Sequence, residues 1–154
     1  MNSRSHNPRK PETPVPPAAG WLGAAGVLPF LALATALAAE AMLPPRAATL
    51  ALTAYGAVIL SFLGGIQWGL ASAAGAGAAT WTRLGCAVLP ALVAWGALLL
   101  PPAAGFVLLA LAFMVVLGAD LVLHAQALVP AWYVRLRWPL TTVVTLCLLI
   151  AAIV

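Results

Sequence analysis

Five apolar runs, each close to the length of a bilayer crossing, are separated by short breaks rich in proline, glycine and arginine. This punctuation constrains the chain more than any single motif. A helix rises 1.5 Å per residue, so about 20 apolar residues cross a hydrocarbon core of ~30 Å. The runs fall at about 21–43, 47–72, 83–100, 103–124 and 138–154. No water is present inside a bilayer to satisfy backbone groups, so runs of this length must be helical. The last run has only 17 residues and spans with little tilt. Charge closes the argument: 6% of residues are charged, against about 25% in a soluble domain. The expected fold is all-α, a polytopic membrane protein in which residues 21–154 form one bundle of five transmembrane helices. Residues 1–20 are proline-rich and carry Arg4, Arg9, Lys10 and Glu12. They read as a disordered basic tail. A cleaved secretory signal is the rival for the first run, which is long for a signal core.

Five spans put the tail, the loop after span two and the loop after span four on one side. That side holds Arg4, Arg9, Lys10, Arg83, Arg135 and Arg137, and the other holds Arg46. The positive-inside rule then predicts a cytoplasmic N-terminus and an outside C-terminus. Trp21, Trp68, Trp81, Trp132, Tyr133 and Trp138 fall near the same interface, where amphipathic rings prefer to sit. A multi-pass protein of a bacterial cytoplasmic (inner) membrane is expected. The seven basic and three acidic residues behind the net charge of +4 are not clustered on a face that could track phosphates, so no nucleic-acid partner is expected.

Ionisable groups inside spans are costly and mark candidate sites. Asp120 and His124 are four apart near the cytoplasmic end of span four, hence on one helix face. Gln67 and Trp68 lie at a similar depth on span two, and Trp132, Tyr133 and Arg137 lie in the loop that follows span four. These seven form the candidate polar cluster. Two readings compete. Asp120 either changes protonation, with His124 as relay, or simply pairs with Arg137 and pins the loop to the bundle. Asp120 and His124 supply two ligands where a metal needs three or four, so no metal or other cofactor is expected. Cys86 and Cys147 lie within apolar runs and read as inert thiols.

Span two carries a small residue at every fourth position: Ala57, Ser61, Gly65, Gly69 and Ala73. Such a ridge lets backbones approach closely, which in lipid does much of the work of association. It reads as a packing face within the bundle, or as a self-association face through Gly65 and Gly69.

Several stretches together resemble a known family. They are Val27-Leu28-Pro29-Phe30, then Tyr55 to Gly69 with its Ser61-Phe62-Leu63-Gly64-Gly65 core, and Leu89-Pro90-Ala91-Leu92-Val93-Ala94-Trp95. Asp120 and the series Trp132-Tyr133-x-x-Leu136-Arg137-x-x-Leu140-Thr141 follow. The chain is similar over nearly everything after residue 20 to the short multi-span family of unknown function that includes the eukaryotic transmembrane protein 69. The resemblance implies a compact five-span bundle that keeps its first span, and it implies no activity. Its members would often carry histidine where this chain has Gln67, a departure that argues against a titrating or metal-binding role there.

No nucleophile with a neighbouring base is evident, so the chain is expected not to be an enzyme. The leading expectation is an accessory or assembly protein that binds membrane partners, lipid, or itself through the Gly65/Gly69 face. A small transporter with Asp120 in its pathway, and a membrane-embedded lipid-modifying enzyme, are the alternatives.

Overall fold

The computed structural model describes residues 14–40, 43–75, 77 and 80–154. It contains five helices: α1 (Pro17–Ala38), α2 (Pro45–Ala73), α3 (Trp81–Leu98), α4 (Pro102–Ala125) and α5 (Ala131–Ile153). All five are long and apolar enough to cross a membrane, and no strand occurs among the described residues. The protein is an all-α multi-pass membrane protein.

Proline sets where the helices begin. The doublets Pro16-Pro17, Pro44-Pro45 and Pro101-Pro102 each open one, the first proline capping it and the second entering its first turn. The residue before a proline is driven to an extended conformation, while the ring of the next presets a helical φ and lacks only an N–H that would go unpaired anyway. Pro17 therefore draws the last four residues of the expected tail into α1. Residues 1–13 of that tail lie outside the described residues. Thr80 caps α3 by accepting the Arg83 N–H at 3.3 Å.

The largest departure from expectation is at α5. The segment read as a loop up to Arg137 is helical from Ala131 onward, so Trp132, Tyr133 and Arg137 lie on its first two turns. Pro139 sits inside the helix. Such prolines are tolerated in membrane helices, where neighbouring groups take up the freed backbone positions.

α2 and α4 form the centre. α2 packs on α1, α3 and α4, α4 packs on α2, α3 and α5, and α1 closes against α5. Phe30 of α1 meets Tyr55 and Phe113 edge-on, at ring-centroid distances of 5.0 and 6.0 Å. Around them Leu52, Leu60, Leu109 and Leu148 are fully buried. Pro29 cannot donate within α1, and next to that break the Gly26 carbonyl accepts the Tyr55 hydroxyl at 3.0 Å.

The small-residue ridge divides. Ala57 is buried and Ser61 half-buried, but Gly65, Gly69 and Ala73 are exposed. A Cβ added at Gly65 or Gly69 would meet nothing within 4 Å. The tight contact belongs to Gly64, one position earlier, where a Cβ would fall 2.5 Å from the Ala87 carbonyl oxygen of α3. Gly105 of α4 approaches the Ala97 carbonyl in the same way, at 2.7 Å. The two faces of α3 are thus joined to α2 and α4 over bare backbone, the close approach on which association in lipid depends.

Candidate functional site: a buried polar clasp

One and a half turns or so from the end of α4, Asp120 is 1% exposed. Arg137 of α5 donates through Nε to Asp120 Oδ2 at 2.9 Å. Gln67 of α2 donates through Nε2 to Oδ1 at 3.4 Å, and the Tyr133 hydroxyl donates to Oδ2 at 3.5 Å. Donors from two helices thus converge on one carboxylate carried by a third. Magnitudes rank them. The short, charge-assisted contact with Arg137 is the strong one, and the two longer bonds are near the limit of useful geometry. Burying the charges is costly, and the pair persists because each partner supplies the other's counter-charge.

Of the seven candidate cluster residues, Gln67, Asp120, Tyr133 and Arg137 meet directly. Trp132 stacks edge-on against Tyr133, at 6.1 Å between ring centroids. Trp68 points outward and is nearly half exposed, as suits an aromatic side chain at a membrane interface. His124 is turned away from the carboxylate: its Nδ1 donates to the Val129 carbonyl at 3.1 Å. The α4–α5 connection brings the Val129 carbonyl to the ring and supplies its acceptor. Ala127 in that connection adopts a left-handed φ of 57°. Arg83 Nη2 donates to Gln126 Oε1 at 3.4 Å, tying the start of α3 to the same turn.

Among the described residues no three His, Cys, Asp or Glu side chains come together as metal ligands. Sequence reasoning missed a cavity beside the clasp, lined by α1, α2, α4 and α5. Its signals were present but weak: Gly23 and Gly26 thin one side of α1, and Thr141 follows Arg137 by four residues on one face of α5.

The fold and clasp define a small multi-pass helical membrane protein whose polar groups gather at one end of the bundle. Residues 15–153 match the family described as Protein of unknown function (DUF3429), and the chain belongs to that family. It is 36% identical over 133 residues to Transmembrane protein 69 of Xenopus tropicalis, a match covering 83% of this chain. The chain spans about half of that relative's length, 51%. No solved structure matches it.

Proposed function

We propose that this protein is a non-enzymatic accessory or assembly protein, working by holding membrane partners or lipid against its helices. The observation that carries the reading is how Asp120 is used. Its carboxylate is buried and both oxygens accept from neighbouring helices, which suits a brace better than a proton carrier. A membrane group that moves protons needs a route to water, and Asp120 is not among the residues lining the cavity beside it. His124, the expected relay, bonds a backbone carbonyl instead.

The clasp end also carries Arg83, Arg135 and Arg137. By the positive-inside rule it faces the cytoplasm, in a bacterial cytoplasmic membrane, with the C-terminus outside. A membrane-impermeant label that reaches a cysteine placed at Val154 in intact cells supports this orientation, and protection of that cysteine overturns it.

The test of function is purification in mild detergent at native expression, read by mass spectrometry. A stoichiometric protein or lipid partner is the expected result. A lone protein that, once reconstituted, supports an ion flux abolished by Asp120→Asn would replace this reading with transport. Turnover of a labelled lipid that Asp120→Asn abolishes would replace it with catalysis.

A further inference from the structure

A cavity of about 400 Å³ lies between α1, α2 and α5, with Phe113 of α4 also in its lining. Along α5 it runs from Trp132 to Val144, roughly 18 Å at the helical rise. One leaflet is half of a ~30 Å core, so the cavity is about as long as a leaflet is deep. Its walls are largely apolar, with Leu22, Phe30, Phe62 and Leu140 among them.

Beyond Trp132 and Tyr133 at one end, two further donors break that apolar lining. Arg137 and Thr141 both line the cavity, lie four apart on one face of α5, and are 8% and 1% exposed. Arg137 Nη2 and Thr141 Oγ1 are buried with no hydrogen-bond partner. Arg137 uses Nε on Asp120, which leaves Nη2 unpaired on a side chain that lines the cavity. Buried donors in hydrocarbon call for an acceptor. Charge gives the sign: among the described residues, the basic side chains at this end outnumber the acidic ones, Arg83, Arg135 and Arg137 against Asp120.

We propose that the cavity holds one acyl chain of an anionic phospholipid, with an oxygen at the head of that chain accepting from Arg137 Nη2 and Thr141 Oγ1. The headgroup then lies between Trp132 and Arg137, and the first carbons of the chain run inward past Phe30 to Val144, about 10 Å beyond Arg137. The inference rests on the proposed function only in treating the site as one that binds without reacting.

The experiment is native mass spectrometry of the full chain in detergent, titrated separately with dioleoylphosphatidylglycerol, dioleoylphosphatidylcholine and oleate. One phosphatidylglycerol per protein is expected, held more tightly than either competitor. Two variants leave the clasp intact. A Cβ at Gly26 would meet nothing within 4 Å, so the side chain of Gly26→Leu starts into open space beside the cavity it lines and should abolish binding. Thr141→Val keeps the side-chain shape, removes one donor and should weaken binding roughly fivefold, the worth of one net hydrogen bond. Absence of bound lipid, equal binding to wild type and Gly26→Leu, or preference for oleate or phosphatidylcholine would each overturn the proposal. So would a lipid-free dimer, which would put a second copy of the chain in the cavity. Conversion of bound phosphatidylglycerol to a product would leave this site standing and overturn the non-catalytic reading instead.

Discussion

Neutralising Asp120 tests the clasp most directly. In Asp120→Asn the Arg137 guanidinium keeps its burial and loses its counter-charge, a loss of about 3–5 kcal/mol for a buried pair. Arg137→Gln strands the carboxylate in the same way and should cost a similar amount. The other two donors are expected to matter far less. Their bonds to Asp120 are 3.4 and 3.5 Å long, and side-chain hydrogen bonds between membrane helices average about 0.6 kcal/mol. Gln67→Ala and Tyr133→Phe should therefore each cost roughly 0.5 kcal/mol. The double variant Asp120→Asn with Arg137→Gln has no stranded charge, so its cost should be about 1–2 kcal/mol, well below either single change. Reversible unfolding in mixed detergent micelles gives all five values. If the two single effects add to within about 0.5 kcal/mol, or if Gln67→Ala costs as much as Asp120→Asn, the ion pair does not hold these helices together.

Further expectations follow from the backbone contacts. Gly64→Ala should destabilise the bundle by about 1–3 kcal/mol, because its Cβ meets a carbonyl of α3 at 2.5 Å. Gly65→Ala should be neutral or stabilising by up to about 1 kcal/mol, and unfolding of the pair in parallel reads the contrast. Gly65→Leu should leave the protein's mass in detergent unchanged by light scattering if that face does not self-associate. Ala127→Gly should raise stability by about 0.5 kcal/mol, since the left-handed position beyond α4 suits glycine, and a thermal shift in detergent reports it. Tyr55→Phe removes the donor to the Gly26 carbonyl and should cost about 1 kcal/mol, with faster amide exchange around Phe30.

Run length and proline spacing carried the five helices, because bilayer thickness makes the number of spans a property of composition. The meeting of Gln67, Asp120 and Arg137 was legible for a related reason: spans cross at fixed depth, so polar groups equally far from their helix ends fall at one level. Azimuth was not legible. Gly64 and Gly65 are neighbours in sequence but point about 100° apart around the helix, and only the position of α3 selects between them. The start of α5 was also hidden. Arg135 and Arg137 look like loop residues in sequence, and a pair between Asp120 and Arg137 was expected to pin a loop, whereas it joins two helices. The cavity was hidden too, since it is a property of four helices together.

The clasp also bears on the order in which the chain is made. Synthesis runs from the N-terminus, so α4 reaches the membrane before α5 exists and Asp120 arrives without Arg137. An acidic residue at the centre of a span opposes insertion by about 2.5–3.5 kcal/mol, and Asp120, nearer the end of α4, bears part of that cost. α4 is the most apolar of the five helices, with a mean hydropathy of 2.7 against 1.3–1.9 for the others. Its surplus of leucine, valine and alanine lets it enter on its own, with Gln67 of the already inserted α2 as an interim donor. α5 then brings the arginine that completes the pair. A chain cut after Ala125 would be inserted but unclasped, a half-built intermediate whose bare aspartate gives membrane quality control something to recognise.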